Sequence, residues 1–261
     1  MPERRSHRVE PNLRREWRAD AEELAVPGTF LSGESEVSRE ASRETSLEAL
    51  GGLDPAVAGT FFHRCMERLD VNNPAPVAMM VRQALADMDL QADADDLAAQ
   101  LQDMLKRLRQ SALWDLLQPA RCRRVFRELP FVLAMDGATL RGQIDMLIEA
   151  DDGRWHVIDY KSDRVSADGL AKRAESYRMQ MQLYALAAWR YTGSPPAQAT
   201  LYFLRPGLMH PFVVSPPELE QARKQAQTLA WQLAQARRSG QYAQCNDPAA
   251  CHHCAYRGLC L

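Results

Sequence analysis

The residues best equipped for chemistry lie near the middle of the chain. Apolar residues flank a short polar turn that carries Gly153, with Asp145 on the first flank and Asp159 on the second. This is a β-hairpin pattern, and antiparallel pairing would bring the two aspartates side by side at one end of the strands. Two carboxylates that close repel each other unless a cation lies between them, and oxygen ligands suit Mg²⁺ or Mn²⁺. We therefore expect a divalent metal site here.

Lys161 adds a positive charge to this site. It lies two residues after Asp159, and side chains alternate along a strand, so both point to the same face. Two acids, a metal ion and an ammonium group are the groups that catalyse in-line attack of water on a phosphodiester. The alternative is an ordinary hairpin with a surface ion pair. Because Asp159 follows the apolar run Val157-Ile158, where a buried strand emerges, the sequence favours the catalytic interpretation.

The elements that must position these residues follow an α/β order. Apolar patterning predicts strands at about 122–135, 139–149 and 154–161, a helix at about 170–192, a fourth strand at 200–204 and a short fifth at 210–214. Helices are expected upstream at about 75–88 and 94–117, and downstream from 216 to about 238.

A further helix begins at Asp54-Pro55, with aspartate as the cap and proline in the first turn. Its buried stripe is expected to hold Val57, Phe61, Cys65 and Leu69, which recur every four residues. His63 lies off that stripe, which indicates a role other than filling the core.

Several motifs around these residues resemble those of one enzyme family. They are Gly59-Thr60-Phe61-Phe62-His63, Gly142-Gln143-Ile144-Asp145, Asp159-Tyr160-Lys161-Ser162-Asp163 and Tyr177-Arg178-Met179-Gln180-Met181-Gln182-Leu183-Tyr184, with Glu128 ahead of the strand entering the hairpin. Together they resemble the nuclease domain of the RecB/AddAB helicase–nucleases, within the PD-(D/E)XK superfamily, over roughly residues 52–261. Ser162 replaces the threonine of the family motif.

The resemblance implies a restriction-endonuclease-like core, with a central mixed sheet flanked by helices in αβββαβ order. Residues 1–50, rich in Arg, Glu and Ser without a sustained apolar period, are predicted to be flexible or partly helical. The nuclease domain is expected at 51–240 and a cysteine-rich tail with a four-cysteine metal cluster at 241–261. In the family pattern the metal ligands would be His63, Asp145, Asp159 and the main-chain carbonyl of Tyr160.

The same resemblance assigns the remaining roles at the site. Lys161 would orient the attacking water or stabilise the transition state, and Gln180 would lie near Lys161 or the phosphate. Glu128, Tyr177 and Tyr184 are candidates for an outer shell around the metal. For Glu128 the alternative is a strand cap, and for the two tyrosines it is a place in the core.

Four cysteines crowd the last seventeen residues: Cys245, Cys251, Cys254 and Cys260. In a cytoplasmic chain such a cluster suggests a metal rather than disulfides. The last three have the spacing found in the tail of superfamily nucleases that carry a [4Fe–4S] cluster, although those take their fourth cysteine from far upstream. We expect an iron–sulfur cluster, with Zn²⁺ as the alternative. Cys65 and Cys122 are expected to be inert apolar residues.

Composition bounds the location and the partners of the protein. The chain has 261 residues, enough for a sizeable core, and a formal net charge of −2. No apolar run approaches the ~20 residues of a membrane span and no signal-peptide pattern opens the chain, so we expect a cytoplasmic protein without a membrane partner. Basic residues before the first strand form a candidate track for nucleic-acid phosphates: Lys106, Arg107, Arg109, Arg121, Arg123, Arg124 and Arg127.

Together, these features predict a Mg²⁺- or Mn²⁺-dependent exonuclease that acts at single- or double-stranded DNA ends in recombination and repair. The Gly-x-x-x-x-Gly-Lys-(Ser/Thr) loop of a helicase motor does not occur, so the helicase partner would be separate. The alternative is a catalytically inactive DNA-binding or scaffold subunit, which the intact Asp145, Asp159 and Lys161 disfavour. A zinc-stabilised interaction module would leave those three residues unexplained.

Overall fold

A five-stranded mixed sheet organises the chain. The computed structural model describes residues 52–135 and 138–241. The elements, in chain order, are α1 (Pro55–Glu67), α2 (Val77–Asp87), α3 (Ala94–Leu108), α4 (Ala112–Leu116), β1 (Cys122–Met135), β2 (Ala138–Ala150), β3 (Trp155–Lys161), α5 (Leu170–Glu175), α6 (Arg178–Thr192), β4 (Gln198–Phe203), β5 (Leu208–Phe212) and α7 (Pro216–Ser239).

The strands lie in the order β1-β2-β3-β4-β5. All neighbours are antiparallel except β3 and β4, which are parallel. A parallel pair cannot be joined by a tight turn, and the α5–α6 crossover supplies the required connection. The predicted restriction-endonuclease-like core, a mixed sheet flanked by helices in αβββαβ order, is confirmed.

Each face of the sheet is covered by helices because residues along the central strands alternate between two cores. Met146 and Ile158 face the core formed with helices α1 to α4, whereas Leu147 and Val157 face the core formed with α6. In α1 the expected stripe is buried at Phe61 and Cys65, and Phe62 is fully buried as well. Strands covered on both faces read as continuous apolar runs, which is the pattern that predicted them.

Two helices predicted as continuous are broken in the structure. The helix expected at 94–117 divides at Ser111, whose side chain accepts a hydrogen bond from Trp114 N–H and so starts α4. The helix expected at 170–192 divides at Ser176 and Tyr177, where Tyr177 has φ −103° and ψ 0°. Serine competes for backbone donors at a helix start, which apolar periodicity does not reveal.

Two predicted segments, residues 1–50 and the cysteine tail with Cys245, Cys251, Cys254 and Cys260, lie outside the described residues. The division of the chain into three segments therefore stays a prediction. None of the described helices combines the length and the apolar character needed to cross a membrane.

Candidate active site

The β2–β3 ladder sets the two central aspartates opposite each other. Met146 pairs with Ile158, so the next step along this antiparallel ladder brings Asp145 level with Asp159. Residues directly opposite in such a ladder project from the same face. The backbone N–H of Tyr160 donates to Asp145 Oδ2 over 2.7 Å, which fixes the Asp145 carboxylate against the end of β3.

A third carboxylate stands at the same level on β1. The register places Glu128 opposite Asp145, since Arg127 pairs with Met146 and Leu129 with Ile144. Glu128 was expected ahead of the strand that enters the hairpin, inside the strand predicted at 122–135, and it lies there, within β1. Its φ of 49° is in the left-handed region, which glutamate rarely adopts and which sequence patterning cannot reveal.

Burial and the charges of neighbouring acids shift the pKa of Glu128. Burial, together with the charges of Asp145 and Glu67, raises the pKa of Glu128 to about 7. The pKa of Tyr184 is also raised, by burial and by the charges of Asp159, Asp145 and Glu128. The three strands therefore concentrate negative charge at one point.

Lys161 lies beside Asp159 in this acidic region. Lys161 Nζ is 3.0 Å from Asp159 Oδ2, and the two side chains are only 13% and 2% exposed. Nζ also donates to Gln180 Oε1 over 3.0 Å and stands 4.4 Å from the centre of the Tyr177 ring. Burial alone would lower the pKa of Lys161, but Asp159 and Tyr177 outweigh it and the pKa is raised. Lys161 is thus held as a cation.

Helix α6 positions the amide that contacts Lys161. Gln180 is buried, and its Nε2 donates to the Tyr184 hydroxyl over 2.9 Å, one turn along the helix. Because the amide nitrogen is engaged there, the amide oxygen faces Lys161. The Tyr184 ring packs edge-on against Phe131. A side chain at Gly142 would collide with the Phe131 ring, with Cβ 2.5 Å from Cζ, which explains the glycine at this position.

Tyr177 is fixed by a second set of polar contacts. Its hydroxyl donates to Asp163 Oδ2 over 2.8 Å, and Arg173 contacts both the hydroxyl and Asp163 Oδ1. The break between α5 and α6 lets the tyrosine turn towards the end of β3. The predicted outer-shell residue therefore supports Lys161, through partners that sequence reasoning missed.

His63 reaches the site from α1. Its Nδ1 lies 3.3 Å from Asp145 Oδ2, and its ring meets Tyr160 edge-on. The structure thus brings His63, Asp145, Asp159, Lys161 and Gln180 to one end of β2 and β3.

The donor set suits a divalent cation, and one atom in particular favours it. The buried Asp159 Oδ2 lies 3.0 Å from Lys161 Nζ and accepts no further hydrogen bond from the described residues. Burial raises the pKa of Asp159 to about 6, against the opposing charge of Lys161 and with the help of Asp145. A divalent ion between the two carboxylates would contact Asp159 Oδ2 and favour the charged form of Asp159, which would lower its pKa.

As they stand, no three histidine, cysteine, aspartate or glutamate side chains of residues 52–135 and 138–241 form a group able to hold a metal ion. His63 and the Tyr160 amide contact Asp145 Oδ2, and Lys161 contacts Asp159 Oδ2. The ligand set His63, Asp145, Asp159 and Tyr160 therefore stays a prediction.

Comparison with known proteins decides the family. The family model of the PD-(D/E)XK nuclease superfamily matches residues 10–261. The chain belongs to the PD-(D/E)XK nuclease superfamily. Members of this superfamily generally use divalent metal ions such as Mg²⁺.

Among curated proteins, this PD-(D/E)XK nuclease domain is similar to ATP-dependent helicase/nuclease subunits of three bacteria. It is 27% identical to that of Carboxydothermus hydrogenoformans over 67% of this chain, 30% to that of Desulforudis audaxviator over 56%, and 27% to that of Ruminiclostridium cellulolyticum over 62%. The matched regions cover only 16%, 13% and 14% of those proteins. The solved structure of SSO0001 overlaps 77% of the chain and 83% of its own at 16% identity and a TM-score of 0.36, which adds nothing to the assignment.

Four of the seven basic residues predicted as a phosphate track have different surroundings, and the track stays a prediction. Arg124 forms an ion pair with Glu149, and Arg127 donates to the Leu69 carbonyl over 2.6 Å. Arg109 lies over the Trp114 ring. Arg107 instead lines a groove with two arginines that lie far along the chain, Arg164 and Arg205.

Proposed function

We propose that this chain is a metal-dependent DNA exonuclease that hydrolyses phosphodiester bonds at DNA ends in recombination and repair. The observation that carries the proposal is the meeting of Asp145, Asp159 and a buried, charged Lys161 at one end of β2 and β3. Crowding carboxylates in a partly buried site costs folding free energy, and a lysine ammonium beside them can act on a phosphate.

In this proposal His63, Asp145, Asp159 and the Tyr160 carbonyl hold one Mg²⁺ or Mn²⁺ ion. The bound ion lowers the pKa of a water molecule and neutralises charge on the phosphate. Carboxylate and carbonyl oxygens are the ligands that these ions prefer, and one imidazole is compatible with both.

Lys161 and Gln180 serve the reacting groups in this proposal. Lys161 presents a compact charge to the attacking water or to the developing negative charge on the phosphate oxygens. Gln180 restricts the rotation of Lys161 through its 3.0 Å hydrogen bond. Tyr177 and Tyr184 hold these two side chains from behind, and Glu128 accepts a proton or binds an outer-shell water beside Asp145.

The names of the relatives support a helicase partner. All three are called ATP-dependent helicase/nuclease subunits, and the matched regions cover no more than 16% of those proteins. Because the chain lacks the phosphate-binding loop of a helicase motor, DNA unwinding would come from another polypeptide or another part of a longer one. We further propose that the four C-terminal cysteines hold a [4Fe–4S] cluster, with Zn²⁺ as the alternative.

A nuclease assay on open and end-blocked DNA, with Mg²⁺ and with chelator, tests the proposal. Degradation of open DNA only, and only with the metal, is the expected result. Equal cleavage of open and end-blocked DNA would assign an endonuclease. Binding of DNA without any cleavage in Mg²⁺ or Mn²⁺ would favour the inactive scaffold subunit.

A further inference from the structure

Three arginines from separate parts of the chain line one groove at the end of the sheet where β3 and β4 end. The groove has a volume of about 570 Å³, and its walls come from α3, the segment after β3 and the β4–β5 turn. Each wall contributes one arginine: Arg107, Arg164 and Arg205. The three arginines are thus brought together by the tertiary fold and not by the period of one helix.

Arg205 is the most constrained of the three. Its Nε is buried without a hydrogen-bond partner among the described residues. Burial and the neighbouring charge of Arg164 lower the pKa of Arg205 to about 10. A buried guanidinium N–H without an acceptor is costly, and an anion in the groove would provide one.

Packing fixes Arg107 in the groove wall. Gly207 has φ 69°, and a Cβ at this position would lie 2.7 Å from the Cβ of Arg107, so the β4–β5 turn rests directly on the stem of that arginine. Asp103 also lines the groove, 3.9 Å from Arg107 and well exposed, and offsets part of the charge. Asp163 also acts on Arg205 from nearby. Among the residues that line the groove, three arginines outnumber the single acid.

The groove and Lys161 lie at the same end of the sheet, because Lys161 and its neighbour Phe203 end β3 and β4, and Arg164 and Arg205 follow them. Leu204 N–H donates to the Lys161 carbonyl over 2.8 Å, and Arg205 is the following residue. Arg164 is three residues beyond Lys161, so their Cα atoms are within about 11 Å of each other. One strand of duplex DNA rises about 3.4 Å per nucleotide along its axis, so the Cα atoms of Lys161 and Arg164 are separated by at most roughly three nucleotides.

We propose that Arg107, Arg164 and Arg205 form a phosphate-binding site for the DNA backbone a few nucleotides from the bond that is cleaved. Guanidinium groups are suited to this because their fork of donors matches phosphate oxygens and stays charged. The proposal rests on the proposed nuclease function, and it assigns the strand's path from Lys161 across the β4–β5 turn towards α3.

The test compares DNA binding by the full 261-residue chain and two variants. The double variant Arg107→Gln/Arg164→Gln removes the two exposed charges, and Arg190→Gln removes an exposed arginine from the far end of α6 as a matched control. Fluorescence anisotropy with a short labelled oligodeoxynucleotide in chelator, over a salt series, gives Kd and its salt dependence.

The double variant is expected to raise Kd about tenfold at low salt and to reduce the slope of log K against log salt by about 1.5, since each lost phosphate contact removes about 0.7–0.9. The Arg190→Gln control should match the wild type. Arg205→Met, which keeps the apolar stem, should also weaken binding. Values of Kd and slope that are the same in all the proteins would overturn the groove assignment.

Two further results separate this proposal from the nuclease assignment. Suppose that the double variant binds DNA more weakly than the wild type, but the wild type never cleaves DNA. That result would overturn the nuclease function and keep the groove assignment. Alternatively, inorganic phosphate could raise the Tm of the wild type but not that of the double variant, while both proteins bind DNA equally. That result would assign the groove to a free anion and overturn the DNA assignment.

Discussion

Glu128 lies opposite Asp145 across the β1–β2 ladder, in a left-handed backbone conformation with φ 49°. A non-glycine residue in this region costs about 1–3 kcal/mol and persists only where its surroundings impose it. Here the conformation coincides with three carboxylates on adjacent strands and with a raised pKa for Glu128. Strain and unfavourable charge therefore occur together at the proposed metal site.

Stability should fall as the pH rises through the titration of Glu128. Its pKa in the folded protein is about 7, above the ordinary value of 4.5, so between these values the folded state binds more protons than the unfolded state. The contribution of Glu128 is thus fully present below about pH 4.5 and lost by about pH 7. Glu128→Gln should gain about 1–3 kcal/mol over the wild type at pH 8 and nothing at pH 4. Urea unfolding in chelator at both pH values measures this, and an equal difference at both would contradict it.

The backbone at Glu128 can be tested apart from its charge. Glu128→Gly and Glu128→Ala both remove the carboxylate, but only glycine adopts φ 49° without strain. The glycine variant should be more stable than the alanine variant by about 1 kcal/mol. Chemical unfolding in chelator gives the comparison, and an alanine variant as stable as the glycine variant would argue against a left-handed residue in β1.

Asp159→Asn should abolish cleavage without unfolding the protein. The substitution removes a charge that burial disfavours, and Lys161 keeps its contacts with Gln180 and Tyr177. Loss of metal-linked stabilisation, worth several kcal/mol, predicts at least about a thousandfold lower rate. Mg²⁺ titration by calorimetry should show weaker binding. Asp151→Asn, in the exposed turn of the same hairpin, is the control and should cleave normally. Normal rates for Asp159→Asn would remove it from the site.

Tyr184→Phe should reduce catalysis through Gln180. The change deletes the hydroxyl that accepts from Gln180 Nε2, leaving a buried donor unpaired at a cost of about 1–3 kcal/mol. The amide is then free to turn away from Lys161, and we expect kcat to fall about tenfold with little change in KM. Tyr191→Phe, on the same helix but 49% exposed, is the matched control. Equal kcat values for both variants would show that the hydroxyl does not position Gln180.

The C-terminal cysteines should bind a metal, and colour distinguishes the candidates. Anaerobically purified protein is expected to be brown with broad visible absorbance, because thiolates would hold a [4Fe–4S] cluster. Cys251→Ser should lose the colour, whereas Cys122→Ser, at a free and half-buried cysteine of β1, should keep it. Colourless protein with one zinc per chain would replace iron by Zn²⁺. Protein with neither metal would show that these cysteines serve another purpose.

Local patterns were enough to predict the hairpin and its chemistry. Strand alternation and the polar turn at Gly153 predicted that Asp145 and Asp159 stand side by side with Lys161 on the same face, and the register of β2 and β3 matches that arrangement. The apolar stripe of α1 likewise separated the buried Phe61 from His63. These features depend on residues close in sequence, so periodicity and turn chemistry determine them.

Only the tertiary structure decided what meets the hairpin. The β1 register moved Glu128 from the margin of the site to the position opposite Asp145, and the break before α6 brought Tyr177 against Lys161. Packing also separated the basic residues before and at the start of β1. Arg107 lines the groove with Arg205, whereas Arg124 forms an ion pair with Glu149. Such pairings join residues far apart along the chain, and they are set by strand register, crossover connections and helix packing, none of which leaves a local pattern in the sequence.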